Sequence, residues 1–290
     1  MTYLPDEPGI RELLRGVPIT VPEIVKVVQN NLIHIFWAEP MGVKLSEERL
    51  TEVNIRSVAE KLRRIHKLKQ VKLTMKRQYT EKLVGNCRDF TVVAVALLRQ
   101  AGIPARARCG FGAYFSRPGD KLRYMDHWVV EYWNGDQERW VMVDAQLDEY
   151  QRGVLQPDFD YLDVPPDRFI TGGAAWKMCR EGEADPDAFG IFNMSGMGFI
   201  RGDMLRDLAA LEKMPLLPWD CWGVMLDEEI GHLELMDRVA RATVPGTTKY
   251  KEIAELNQHP LLKVPETIMS YMGGSKPVQV KLSDVIEKKT

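Results

Sequence analysis

The sequence predicts an α+β fold, and three observations carry this prediction. A largely apolar run from Asp89 to Gln100 has the length of a buried helix. Three segments with the residue types of β-strands follow it, and a turn signal separates the last two. Apolar residues at helical spacing lie on both sides of this centre, which predicts helical N- and C-terminal extensions.

The bulk composition is that of an ordinary globular protein. The chain has 290 residues, of which 45% are hydrophobic and 28% are charged. Its formal net charge is -2 and its pI is about 6.3, so it lacks the basic footprint of nucleic-acid-binding proteins. We therefore expect no nucleic-acid partner. Composition leaves the oligomeric state open.

The first residues and the apolar stretches predict a cytoplasmic protein. The opening MTYLPDEPGIRELLRG lacks the basic start and the apolar stretch of a secretory signal. No later segment reaches the roughly eighteen uncharged apolar residues that a membrane span needs. We therefore expect no membrane partner.

The four cysteines are widely spaced and form no CxxC pair. Their spacing indicates neither a zinc site nor a disulfide framework, so we expect free thiols and no metal. Cys109 and Cys179 lie in contexts typical of structural core residues.

The N-terminal part is predicted to be helical over residues 22–38 and 45–83, because apolar residues recur there at helical spacing. A stripe in the second segment consists of Ile55, Val58, Leu62 and Ile65. The basic run from Lys67 to Lys76 is interpreted as a solvated helix face rather than a phosphate site.

The central part combines the buried helix with strands. Gly102 and Pro104 follow the apolar run and favour a helix over a strand. Strands are predicted over residues 105–115, 127–133 and 138–144, and the intervening Asn-Gly-Asp-Gln sequence is a hairpin signal.

The C-terminal part is predicted to be mostly helical, with helices near 201–214 and 226–242. The chain would then divide into a helical segment, a core and an accessory region. Their predicted bounds are 1–80, 81–150 and 151–290.

Cys87 is the candidate nucleophile because it stands at the start of the buried helix. A helix N-terminus carries about half a positive charge, which stabilises a thiolate, and its backbone NH groups can bind an oxyanion. Asn86 is a candidate helix cap, and Arg88 adds positive charge nearby. A lone cysteine before an apolar helix is more often a small core residue, so this assignment depends on its partners.

The predicted hairpin supplies those partners. His127 lies in a strand that follows Cys87, and an imidazole can take the proton of a thiol. For a two-residue turn that contains Gly135, Asp144 is the direct or the diagonal cross-strand neighbour of His127. An odd-length loop or a bulge would break this parity. A carboxylate there would hold one ring nitrogen and turn the other toward the sulfur.

Three blocks of the sequence, GNCRDFTVVAVALLRQAGIPAR, DHWVVEY and RWVMVDA, resemble the core of the transglutaminase-like superfamily in order and spacing. The resemblance covers about residues 80–150. Its shared positions are Gly85, Cys87, Asp89, Phe90, His127, Glu131, Trp140 and Asp144. In one departure, Trp128 follows the histidine immediately, whereas the family commonly has one residue between them.

This resemblance implies a papain-like core in which the cysteine-bearing helix packs on an antiparallel sheet. It implies a triad of Cys87, His127 and Asp144 that passes an acyl group from an amide or peptide carbonyl, through a thioester, to an amine or water. The substrate would be a protein, a peptide or a small amide, and no cofactor is required. A cysteine peptidase or amidase, and a binding module that keeps the fold without catalysis, are the alternatives.

Further site residues are predicted around this triad. The backbone NH of Cys87 is one oxyanion donor, and the resemblance implies a second donor upstream, for which Tyr79 and Gln78 are the candidates. A substrate cleft is assigned to tryptophans at three positions, Trp128, Trp219 and Trp222. For the last two, a hydrophobic plug between accessory helices is the favoured alternative.

Overall fold

The computed structural model describes residues 1–117, 119–246, 250–271 and 276–286. The chain is 43% helical and 17% strand, which confirms the α+β prediction. The helices are α1 (Pro8–Leu14), α2 (Val21–Asn31), α3 (Ile35–Ala38), α4 (Glu47–Leu50), α5 (Val58–Leu68), α6 (Cys87–Gln100), α7 (Glu149–Leu155), α8 (Gly172–Arg180), α9 (Met197–Leu211), α10 (Leu233–Thr243), α11 (Tyr250–Gln258) and α12 (Leu282–Val285). The strands are β1 (Leu32–His34), β2 (Leu83–Gly85), β3 (Ala105–Gly112), β4 (Tyr124–Asn134), β5 (Arg139–Val143), β6 (Phe169–Thr171), β7 (Phe189–Ile191), β8 (Met194–Ser195), β9 (Asp220–Cys221), β10 (Thr267–Ser270) and β11 (Val278–Lys281).

The chain folds into two compact units. Unit 1 consists of residues 1–106, 129–164 and 286–290, and unit 2 consists of residues 107–128 and 165–285. The chain passes from one unit to the other within β3 and again within β4. For this reason the units do not coincide with the predicted division at residues 80 and 150.

Unit 1 is built around α6, against which α2 and α5 pack. Its residues from Cys87 to Leu98 are all buried, as predicted for an apolar run of this length. The helix begins two residues before the predicted run. A short parallel pair, β1 with β2, leads into it.

The N-terminal region departs from the predicted long helices. Residues 45–83 contain α4, a 3-10 turn at Thr51–Asn54, α5 and a further 3-10 turn at Tyr79–Glu81. The interruption has a local cause, since the Ser57 side chain accepts a hydrogen bond from the Glu60 backbone NH and starts α5 anew. Likewise, β1 separates α2 from α3 within the predicted segment 22–38.

The main sheet has the strand order β6-β3-β4-β7-β8, with β5 paired to β4. In unit 1, β4 and β5 form the predicted antiparallel hairpin. In unit 2, β6 pairs antiparallel with β3, and β7 pairs parallel with the start of β4.

Unit 2 is completed by helices α8, α9, α10 and α11, which pack on one another, and by the three-stranded sheet β11-β10-β9. The two predicted C-terminal helices correspond to α9 and α10, but α10 begins at Leu233, seven residues after the predicted start at 226. The strands of this region have two to four residues, too few to show an alternating pattern, and were not predicted. Among the described residues, no helix is both long enough and apolar enough to cross a membrane.

Candidate functional site

Cys87 occupies the first position of α6 and is 7% exposed. The predicted cap is confirmed, because the Asn86 side chain accepts a hydrogen bond from the Asp89 backbone NH at 3.3 Å. The Asp89 carboxylate returns the contact by accepting from the Asn86 NH at 3.1 Å. This capping box fixes the first turn of the helix and with it the position of the thiol.

A buried ion cluster lies behind this first turn. The Asp89 carboxylate lies 2.8 Å from the Lys61 ammonium and 3.1 Å from the Arg88 guanidinium, and all three side chains are inaccessible to solvent. A second guanidinium nitrogen of Arg88 donates to the Arg56 carbonyl at 2.7 Å. Burial lowers the pKa of Lys61 to about 8, and the negative charge of Asp89 limits this decrease.

Gly85 is required by this packing. A Cβ atom at that position would lie 3.0 Å from the Asp89 Cβ and 3.2 Å from its carboxylate. A side chain at residue 85 would therefore have to displace Asp89, whose carboxylate belongs to the capping box of the cysteine-bearing helix.

Asp144 follows the last residue of β5 and is fully buried in unit 1. One carboxylate oxygen accepts from the Gln146 backbone NH at 2.9 Å, and the Asp144 backbone NH donates to the Tyr161 carbonyl at 2.9 Å. One contact holds the carboxylate and the other holds the backbone of the same residue. The carboxylate therefore has a defined position, as an orienting group must have.

The remaining motif residues brace the hairpin of unit 1. Glu131 on β4 is buried and forms an ion pair with Arg106. The same guanidinium lies over the Trp140 ring, 4.1 Å from its centroid. The glutamate and the tryptophan of the second and third blocks are thus joined by one arginine, which gives them a structural role.

The register of this hairpin differs from both predicted ones. Val130 pairs with Val143 and Asn134 pairs with Arg139, so the loop has four residues instead of two. Glu138 closes the loop with a left-handed φ of 48°. The prediction of a two-residue turn was wrong, although the even loop length keeps the parity on which it depended. The described pairing ends at Val143, one residue before Asp144.

His127 lies on β4 in unit 2 and is 2% exposed. Three aromatic rings of the same unit surround its imidazole edge-on, with centroid distances of 5.8 Å to Tyr114, 4.8 Å to Phe115 and 6.3 Å to Phe169. Such a surround limits the access of water to the ring. The predicted base thus stands in an apolar environment.

The upstream oxyanion candidates lie on the surface. Tyr79 is 40% exposed with the Lys82 ammonium 4.9 Å from its ring centroid, and the Gln78 side chain caps the short 3-10 turn that Tyr79 begins. Their role stays a prediction. Sequence reasoning gave no donor role to the Asn86 side chain, whose Nδ2 is buried next to Cys87 and has no hydrogen-bond partner within the described part of the chain.

The tryptophans assigned to a substrate cleft differ in exposure. Trp128 is fully buried, and Trp222 is 1% exposed with its indole NH donating to the Leu262 carbonyl at 2.9 Å. Trp219 is partly buried. Burial of the Trp222 side chain supports the alternative, a hydrophobic plug in unit 2, and the cleft role stays a prediction.

All four cysteines are free thiols. Burial raises the pKa of the partly buried Cys179 to about 11, and burial also raises the pKa of Cys109 well above its usual range. Cys109 is fully buried, as predicted, but its neighbours are acidic side chains rather than apolar ones alone.

Comparison with known families matches residues 51–145 to the transglutaminase-like superfamily. The matched segment covers about a third of the chain and runs from the first 3-10 turn to the residue after Asp144. It includes Cys87 and His127, and it starts upstream of the resemblance that the motifs alone indicated. Neither the curated proteins nor the solved structures gave a match.

Proposed function

Because residues 51–145 are a transglutaminase-like segment, we propose that this protein is a thiol acyl-transfer enzyme acting on an amide or peptide carbonyl. Cys87 is its nucleophile, His127 its base and Asp144 the carboxylate that orients the histidine. The superfamily is generally enzymatic and cysteine-dependent, which supports the reaction type.

The observation that carries this proposal is the position of Cys87 at the first residue of a capped helix inside the matched segment. Backbone NH groups in a first helical turn have no intrahelical acceptor, and the helix dipole adds partial positive charge there. Both favour a thiolate and a developing oxyanion. The Asn86 and Asp89 box makes this turn rigid, so the favourable field is oriented before substrate binds.

The proposed reaction has two balanced steps. The Cys87 sulfur attacks the carbonyl carbon while His127 takes the thiol proton and delivers it to the leaving nitrogen, so a thioester forms and an amine departs. An amine or water then attacks the thioester, loses its proton to His127, and releases Cys87 as the thiol. Asp144 keeps the imidazole in the tautomer that both steps need.

A non-catalytic binding module is the second candidate, and burial is the observation that favours it. Cys87 is 7% exposed and His127 is 2% exposed, so neither side chain presents much surface to a substrate. Under the enzyme proposal, substrate binding must open this region. The two candidates therefore differ in whether the thiol reacts with small electrophiles.

Alkylation by iodoacetamide as a function of pH tests the proposal. We expect Cys87 to react with an apparent pKa below the usual value of about 8.5, and we expect His127→Ala to remove this enhancement. The raised pKa values of Cys109 and Cys179 keep those thiols unreactive near neutral pH, and the signal of Cys87 must be separated from that of the partly exposed Cys221. Peptide mapping by mass spectrometry identifies the alkylated residue.

A matched control is Cys179→Ser, which should leave the fast phase unchanged. If Cys87 reacts no faster than a model thiol, the binding module becomes the better reading. The acceptor is determined separately, by incubating peptide libraries with and without an added amine and weighing the products. Ligated products indicate transfer, cleaved products indicate hydrolysis, and neither product in the presence of a reactive Cys87 argues against peptide substrates.

A further inference from the structure

Unit 2 contains a second cluster of chemically active side chains. Cys109 on β3, Asp126 on β4 and Asp203 on α9 each direct one potential ligand atom toward the others, and these three atoms lie within 4.8 Å of one another. Cys109 and Asp203 are fully buried, and Asp126 is partly buried. The three residues come from three elements that are far apart in sequence.

Two carboxylate oxygens of this cluster lack the partners that buried polar atoms normally have. Asp126 Oδ1 and Asp203 Oδ2 are buried, and no N–H or O–H group of the described residues donates to them, while the Cys109 thiol lies beside the Asp203 carboxyl. By contrast, both carboxylate oxygens of Asp207, one turn further along α9, have hydrogen-bond partners. Its carboxylate accepts from Arg108 at 2.9 and 2.8 Å and from the Cys109 backbone NH at 2.9 Å.

The charges in this cluster are also unbalanced. Its cation is Arg206, which lies 3.0 Å from the second oxygen of Asp203 and donates to the Cys221 sulfur at 3.4 Å. With Cys109, Asp126 and Asp203 ionised, the guanidinium leaves two negative charges uncompensated. One divalent cation would neutralise them. The positive charge of Arg206 opposes the approach of a cation. The ion and Arg206 together carry three positive charges, which are balanced when all three acidic groups are ionised.

We propose that Cys109, Asp126 and Asp203 bind a divalent transition-metal ion of the zinc class. A thiolate with two carboxylates suits Zn²⁺ and Co²⁺, whereas Mg²⁺ and Ca²⁺ take oxygen ligands alone. Zinc–sulfur and zinc–oxygen bonds of about 2.3 and 2.1 Å would bring the three ligand atoms to roughly 3.5 Å from one another, so the separations of up to 4.8 Å would shorten by at most about 1.3 Å.

The ion would join β3, β4 and α9 within unit 2. Asp126 is partly exposed, and three protein ligands leave the fourth tetrahedral position to water. None of the three ligands belongs to the proposed triad, although Asp126 directly precedes His127 on β4.

Titration of the chelator-stripped, full-length protein with Co²⁺ tests the proposal. We expect one ion per chain and thiolate-to-cobalt charge-transfer absorption. In Cys109→Ala the absorption should disappear, and in Asp203→Asn the affinity should fall by about tenfold or more. Cys179→Ala, which removes a cysteine of unit 2 outside the cluster, should bind as the parent does.

Cys87→Ala is the decisive control, because a reactive thiol can also bind cobalt. Absorption that persists in Cys87→Ala and is lost in Cys109→Ala supports the site. The reverse pattern, or no absorption at all, overturns it, and the latter would indicate that the two carboxyls share a proton instead. Neither result bears on the alkylation of Cys87, so the two proposals fail independently.

Folding of the variants is followed by circular dichroism. If Asp203→Asn does not fold, Asp126→Asn replaces it, since Asp126 is partly exposed and lies on a strand end. Zn²⁺ should raise the thermal unfolding midpoint of the parent but not that of Asp126→Asn. An equal rise in both proteins would contradict the proposed ligand set.

Discussion

Each unit of the protein buries a cluster of charged side chains, and the two clusters differ in charge balance. In unit 1, the Asp89 carboxylate meets two cations, Lys61 and Arg88, at 2.8 and 3.1 Å. It also accepts from the Asn86 backbone NH. All charges there find partners among the protein's own groups.

In unit 2 the balance is reversed. Two carboxyls and a thiol face one guanidinium, that of Arg206, and one oxygen on each of Asp126 and Asp203 accepts from no N–H or O–H group of the described residues. Burial raises the pKa of Asp126 to about 6 and that of Asp203 well above its usual range, so the cluster by itself opposes the ionisation of both carboxyls.

The difference shows that burial alone does not determine whether a charged cluster stabilises the fold or binds a ligand. A buried charge is tolerated when a partner compensates its lost hydration, whether that partner is a side chain or an ion from outside. The unit 1 cluster holds the start of α6 in place, whereas the unit 2 cluster is suited to bind a cation. The same substitution in the two clusters should therefore have unequal effects.

The largest expected effect is the difference in the free energy of unfolding between Asp89→Asn and Asp203→Asn, measured in metal-free protein. Removal of the Asp89 charge leaves two buried cations without their anion, and we expect a loss of about 3–5 kcal/mol in the free energy of unfolding. Asp203→Asn replaces a carboxyl that burial drives toward its neutral form, and the amide oxygen can still accept from Arg206, so we expect a smaller loss of about 1–2 kcal/mol. Urea unfolding of each variant measures the difference.

The exposed pair of Arg139 and Asp163 serves as a control for charge removal. Both side chains are 45% exposed, so Asp163→Asn should change the free energy of unfolding by less than about 0.5 kcal/mol. Equal losses for the two buried aspartates would mean that the clusters do not differ in the way their charges suggest.

A second prediction concerns the pH dependence of the unit 1 cluster. The pKa of Lys61 is lowered from 10.5 to about 8, mainly by burial, while in the unfolded chain the lysine keeps its proton up to its usual value. Between these two values unfolding takes up a proton, so the free energy of unfolding should rise with pH by up to about 3 kcal/mol. Lys61→Met lacks this contribution, so its rise should be smaller than that of the parent by about this amount.

Urea unfolding of the parent and of Lys61→Met from pH 7 to pH 10.5 checks this prediction. Lys82, whose pKa burial also lowers to about 8, contributes equally to both proteins, so the difference between them isolates Lys61. Parallel pH profiles would show that Asp89 fully compensates the burial of this ammonium, which would make the unit 1 cluster more favourable than its geometry indicates.

The sequence predicted helix α6, the β4–β5 hairpin and the Asn86 cap, because interactions between residues close in sequence determine these elements. Helix α6 follows from twelve largely apolar residues with Gly102 and Pro104 behind them, and the hairpin follows from its Asn-Gly sequence. The register was wrong because Glu138 adopts a left-handed conformation that residue type does not announce. Local signals also gave the Asn86 cap, which the structure confirms.

The acidic cluster of unit 2 could not be predicted in the same way. Cys109 and Asp126 are brought together by the pairing of two strands, and Asp203 is added by a helix far along the chain. No spacing rule for metal ligands covers residues so widely separated, since such rules describe ligands within one turn or loop. The division of the chain into units could not be predicted either, because the boundaries within β3 and β4 depend on contacts between residues far apart in sequence.

A smaller effect than that of Asp89→Asn is expected at Asn86, which joins the cap of α6 to the unit 1 cluster. Asn86→Ala removes the acceptor for the Asp89 backbone NH but leaves the Asn86 backbone NH on the Asp89 carboxylate, so we expect a loss of about 1 kcal/mol. Asn86→Asp keeps the acceptor and adds negative charge at a helix start, so its loss should be smaller. Thermal and urea unfolding of both variants give the ranking. A loss in Asn86→Ala as large as that in Asp89→Asn would show that the cap and the ion cluster form one cooperative unit, since removing either would then release both.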